Sequence, residues 1–81
     1  MPFDNWGMIA TKIRLQLARK LKEERQKARL TQEKMAELIG VSARYYQILE
    51  SKKPAAVKID TIEKLAKALK IPVWKLLKFK E

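Results

Sequence analysis

The chain of 81 residues contains no cysteine and no histidine. The first absence excludes disulfides and thiolate metal sites. The second removes the commonest general base and the usual nitrogen ligand for zinc. Glycine occurs twice and proline three times. No apolar run approaches the roughly 20 residues that a membrane span needs. The opening MPFDNWGMIATKI places an acid before its apolar residues and has no clear cleavage site, so it does not read as a signal peptide. A cytoplasmic protein is expected. Acids are also scarce, 9 against 19 Lys plus Arg. Asp60 and Glu63 read as helix caps, and no nucleophile–base constellation is visible. The chain is therefore expected to be no enzyme, with no catalytic residue, no metal and no cofactor.

What is abundant is Leu, Lys, Glu and Ala, the composition of an all-α fold. A chain this short sits near the lower limit for a self-sufficient core, so packed helices, oligomerisation or both must stabilise it. The formal net charge of +10 concentrates polyanions and speeds encounter with them. Nucleic acid is the first candidate partner and an anionic membrane surface the second.

Five helices are expected. The first runs from about Asn5 to Ala28, capped by Asp4 or Asn5, with Trp6, Ile9, Ile13, Leu17 and Leu21 in one stripe and Ala10 and Ala28 beside it. Met8 and Leu15 fall roughly opposite, either as tolerated surface hydrophobes or as partner contacts. Thr31 caps a second helix, about Gln32 to Ile39, which buries Met35, Ala36 and either Leu38 or Ile39. Gly40 ends it in a left-handed conformation. Ser42 caps a third helix, about Ala43 to Ser51, and residues 52–58 form a loop. Asp60 opens a fourth helix, with Glu63 completing a capping box and Ile62, Leu65, Ala66 and Leu69 as its apolar face. Pro72 starts a short fifth helix carrying Val73, Trp74, Leu76, Leu77 and Phe79.

Residues 31–51 form a helix, a glycine turn and a serine-capped second helix, the layout of a DNA-reading helix-turn-helix. By helical rotation Ala43, Arg44, Gln47 and Ser51 share one side of the third helix, with Ile48 at its border and Tyr46 and Leu49 opposite. Arg pairs bidentately with guanine, Gln with adenine, and apolar groups meet a thymine methyl. Arg44 is the first candidate base reader and Gln47 the second; a plain solvated face is the alternative. Gln32 and Ser42 stand at helix starts that favour phosphate, and Lys52, Lys53 and Lys58 border the face through the loop. Lys12, Lys20, Lys64 and Lys67 read as solvated surface. Tyr46 is expected as a core aromatic with its hydroxyl at the surface, and Tyr45 either contacts phosphate or packs.

The segments Arg25…Leu30-Thr31-Gln32-Glu33…Ala36-Glu37-Leu38-Ile39-Gly40-Val41-Ser42…Leu49-Glu50, Asp60-Thr61-Ile62…Leu65-Ala66-Lys67-Ala68-Leu69 and Ile71-Pro72-Val73 resemble the lambda-repressor-like, Cro-type helix-turn-helix regulators, also called the xenobiotic-response-element family. The likeness spans about Ala18 to Leu77. It implies residues 18–81 as the five-helix DNA-binding domain, with residues 1–17 extending its first helix. It also implies base contacts from Ala43, Arg44 and Ile48, a Gln32 that steadies a phosphate and the third helix, and a structural ion pair of Arg25 with Glu50. Ala43 and Ile48 replace polar readers common in the family, which shifts readout toward Arg44 and DNA shape. Arg29 and Lys52 stand where many members have glycine, and Trp74 replaces a typically polar residue.

Trp74, Leu77 and Phe79, together with Met8 and Leu15, are more apolar surface than a lone domain of this size comfortably exposes. A homodimer is expected, with packing of Trp74 on Trp6 within one chain as the alternative. A two-fold pair places its reading helices about 34–36 Å apart on a pseudo-palindromic double-stranded operator. The expected function is a small dimeric transcription regulator, a repressor in the first instance. The 81 residues show no effector domain, so control is expected through abundance, dimerisation or a protein partner. An antitoxin, a restriction–modification controller and a helical adaptor without DNA binding are the alternatives.

Overall fold

The computed structural model describes the backbone of residues 6–79 and the side chains of residues 12–79. In chain order the helices are α1 (Trp6–Lys27), α2 (Gln32–Ile39), α3 (Ala43–Leu49), α4 (Ile59–Leu69) and α5 (Val73–Leu76). All regular structure among the described residues is helical. The proposed caps at Asp4 and Asn5 and the side chains of Trp6, Met8, Ile9 and Ala10 lie outside what is described.

Helix starts follow from short hydroxyl side chains. The Thr31 oxygen accepts from the Lys34 N–H at 3.0 Å and opens α2, and Ser42 accepts from the Tyr45 N–H at 3.1 Å and opens α3. Each satisfies an N–H that has no partner inside its helix. α4 departs from the expectation. It begins two residues earlier, with Lys58 in place of Asp60 at the cap and no side-chain capping bond. Asp60 lies inside the first turn, and the Asp60–Glu63 capping box does not form.

The ends of α1, α2 and α4 share one device. Arg29, Gly40 and Lys70 all take left-handed backbone, with φ of 59°, 76° and 58°. The next residue then donates back five positions, Leu30 to Arg25 O at 3.1 Å, Val41 to Ala36 O at 3.0 Å and Ile71 to Ala66 O at 3.0 Å. These are Schellman closures, and in each the following apolar side chain folds onto the core. A Cβ at Gly40 would meet nothing within 4 Å, so the glycine is suited by its backbone angle and not by crowding.

The core is built around Leu17 and Leu21 of α1, Met35, Ala36 and Ile39 of α2, Tyr46 and Leu49 of α3, Leu65, Ala66 and Leu69 of α4, and Leu76 of α5. Helix α2 packs on α3 and α4, while α5 packs on α1 and α4. Of the alternatives for α2, Ile39 is buried and Leu38 is 48% exposed. The α1 stripe rotates toward Ala18 and Glu24, leaving Ile13 exposed at 51% and Ala28 exposed. Glu24 stays ionised there. Burial opposes its charge, but Lys27 at 3.3 Å and Lys20 at 3.4 Å together hold its pKa below the usual carboxylate value. Helix α3 stops at Leu49, short of the expected Ser51, and α5 is a single turn.

Candidate nucleic-acid interface

The burial of Tyr46 and Leu49 fixes the rotation of α3 and so selects its outward residues. Arg44 and Gln47 are exposed, and Ala43 and Ile48 are half-buried beside them. This strip joins a guanidinium, a carboxamide and two apolar groups on one helix, all four in the positions that helical rotation gives. Ser51 is not part of it. Its hydroxyl donates to Ile48 O at 2.7 Å and accepts from the Lys53 N–H at 3.2 Å, closing α3 and starting the loop.

The loop from Ser51 to Lys58 is anchored from beneath. Pro54 is buried, and Ala55 and Val57 pack against the core. Lys52, Lys53 and Lys58 are thereby left exposed around the end of α3. The sequence places Pro54 only within the 52–58 loop and does not mark it as buried. Its signal is the unbroken apolar run of residues 54–57 set between Lys53 and Lys58.

The far end of α3 is held by a charged clamp. Arg25 Nε and Nη2 donate to the two carboxylate oxygens of Glu50 at 2.7 and 3.0 Å, while Nη1 donates to Leu30 O at 2.8 Å. Gln32 Nε2 donates to Glu50 Oε1 at 3.1 Å. The clamp therefore ties α1, the head of α2 and the tail of α3 at one carboxylate. Glu50 keeps 2% and Arg25 12% of its side-chain exposure. Burial alone would push the Glu50 pKa up. The Arg25 guanidinium first, then Tyr46 and Gln32, outweigh it and leave the value depressed. The same pairing raises the Arg25 pKa. Tyr46 is fully buried, so its hydroxyl does not reach the surface as expected. The hydroxyl makes no hydrogen bond of acceptable geometry, and burial, reinforced by the Glu50 charge, raises its pKa strongly.

Charge is distributed unevenly around this frame. Between Ser42 and Lys58 the sequence carries Arg44, Lys52, Lys53 and Lys58 but a single acid, Glu50. Since Glu50 is committed to Arg25, none of those four cations has a carboxylate partner among the described residues. Such an array presents a strong positive field to a polyanion. Ser42 is exposed, and Gln32 and Tyr45 are half-buried at its margin, Tyr45 partly against the core. Among the described residues no group of His, Cys, Asp and Glu side chains gathers as a metal site, and no helix is long and apolar enough to cross a membrane.

The helix-turn-helix family pattern matches residues 21–73, which takes in the end of α1, all of α2 to α4 and the first residue of α5. The chain belongs to the lambda-repressor/Cro-like helix-turn-helix family, whose members are DNA-binding regulators. No curated protein matches it.

Proposed function

We propose that the protein is a sequence-specific double-stranded DNA-binding transcription regulator acting as a dimeric repressor in the cytoplasm, without catalytic activity or cofactor. The observation that carries this reading is the exposed Arg44–Gln47 strip bordered by unneutralised lysines. Arg44 and Gln47 read base edges in the major groove, with Ala43 and Ile48 supplying apolar contact to thymine methyls. Gln32, Ser42, Tyr45, Lys52, Lys53 and Lys58 hold phosphates and set the docking angle. Arg25 and Glu50 serve structure alone. Residues 6–17 of α1 are assigned as an extension beyond the DNA-binding domain of residues 18–81, and residues 1–5 of the expected extension lie outside the described residues.

Dimerisation is assigned to the exposed side of α5, where Trp74 is 65% and Leu77 41% exposed. Leu15 is half-buried and Met8 lies among the side chains not described, so both remain contributors by proposal. Phe79 packs back against the core and offers a partner less than the sequence suggested. Trp74 borders the C-terminal half of α1 at Lys20, Glu23 and Lys27, while the alternative of packing on Trp6 lies outside the described side chains.

The test is selection of bound sites from random duplexes, followed by binding measurements over a salt series. Arg44→Ala is expected to reduce discrimination between the selected site and random DNA by about 1–3 kcal/mol. Lys53→Ala is expected to weaken both about equally and to lower the salt slope by about 0.9. Equal losses for both variants on both DNAs would overturn the assigned roles. Binding without salt dependence would instead favour the helical adaptor.

A further inference from the structure

Of the three helix ends on left-handed backbone, only one is a glycine. Gly40 has no Cβ to strain, whereas Arg29 and Lys70 hold a long side chain in the same conformation. A residue kept on such backbone points to a use, and the side chain indicates which. Arg29 is exposed, and its guanidinium has no hydrogen bond or carboxylate partner among the described residues. The nearest acid in sequence, Glu33, is exposed and forms no ion pair with it.

Position separates Arg29 from Lys70. Leu30, next to Arg29, packs against the core, and its carbonyl accepts from Arg25 Nη1 at 2.8 Å. The same guanidinium grips Glu50 at 2.7 and 3.0 Å, and Glu50 leads directly into Ser51, Lys52 and Lys53. One side chain thus joins the α1–α2 turn to the tail of α3, with Arg29 beside the clamp on one segment and Lys52 on the other. Lys70 has no such tie. Helix α4 carries the chain 11 residues, about 16 Å, from Lys58 before reaching it.

We propose that Arg29 anchors a duplex phosphate, extending the contact from the Lys52–Lys53 loop across the clamp to the α1–α2 turn. This rests on the reading that the α3 face meets DNA, and it adds a contact that reading does not contain. A guanidinium is always charged, and its planar fork takes two phosphate oxygens at once. The root of the side chain is already fixed, because the Leu30 N–H and carbonyl are both bonded to Arg25. Less freedom is therefore lost on contact. Such a bond positions the protein and is blind to base sequence. Glycine at this position would give a firmer fold with a weaker grip.

The test sets Arg29→Gly against Lys70→Gly in the full chain, since both remove one charge from the same backbone conformation. Both are expected to keep the helical circular dichroism and a urea midpoint no lower than the parent's. Anisotropy titrations on the selected duplex and on random duplex, over a salt series, then separate them. Arg29→Gly is expected to raise both Kd values about five- to tenfold near 0.1 M salt and to lower the salt slope by about 0.9. Lys70→Gly is expected to change neither, and Arg29→Lys to restore the slope. Neutral methylphosphonates placed one at a time along the selected duplex locate the contact. One position is expected to weaken the parent and leave Arg29→Gly unaffected. Equal losses from the two glycine variants would reduce Arg29 to bulk charge and overturn the proposal. So would a loss confined to the selected duplex, or a phosphate scan without such a position. Parental binding by Arg29→Gly, with Lys53→Ala weakened, would remove Arg29 alone and leave the α3 face standing. Parental binding by Arg29→Gly, Lys53→Ala and Arg44→Ala together would sink both readings.

Discussion

Arg25 makes three hydrogen bonds from one guanidinium, two of them to a carboxylate that is almost wholly enclosed. Removing it by Arg25→Ala strands the Glu50 charge, and a loss of about 3–5 kcal/mol is expected in urea unfolding at neutral pH. The pairing also sets the acid response. Because Glu50 and Glu24 both have depressed folded-state pKa values, their stabilising contribution is complete above the ordinary value of 4.5. It fades as pH falls from there through the depressed values. Glu50→Gln is expected to be less stable near neutrality and to show a flatter decline over that acid range in thermal melts. Arg29 and Lys70 give the opposite kind of prediction. A left-handed conformation costs an ordinary residue roughly 1–2 kcal/mol, and glycine is free of that penalty but loses more chain entropy. Arg29→Gly and Lys70→Gly are each expected to stabilise by up to about 1 kcal/mol, read as a raised urea midpoint at constant slope.

At the scale of helices, what the sequence revealed depended on whether a side chain or the surrounding fold set the boundary. Thr31, Gly40 and Ser42 carry their own reason for being where they are, and α2 begins and ends at the residues their chemistry selects. Arg29 and Lys70 carry no such mark, because any residue can be forced into that backbone by an apolar neighbour that must reach the core. The pairing of each with Leu30 or Ile71 hinted at it, and at Arg29 so did the glycine that many members of the resembled family carry there. Asp60 misled for a related reason: it is a good cap, yet the loop anchored by Pro54 delivers the chain into α4 two residues sooner. Around the reading strip, the faces of α3 were legible from Tyr46 and Leu49, while the use of the Ser51 hydroxyl within its own loop was not. Loss of that hydroxyl in Ser51→Ala is expected to cost about 1 kcal/mol of stability. It should also weaken binding to selected and random duplexes alike, in a gel-shift titration, by loosening Lys52 and Lys53.

For the molecule as a whole, charge and the proposed pairing pull against each other. Each chain carries a formal net charge of +10, so two free chains repel while a duplex neutralises both. Sedimentation is therefore expected to show a larger dimer fraction as salt rises in the absence of DNA, and Leu77→Asp to abolish that fraction. With DNA the order reverses, because salt weakens the phosphate contacts first. The clamp at Glu50 adds a kinetic corollary. A probe bolted to its frame at the rear needs no refolding or swivelling before it engages, so the encounter itself sets the pace. Association rates should then follow collision frequency and ionic strength across different sequences, and the distinction between a matched and a mismatched operator should reside in how long each complex survives.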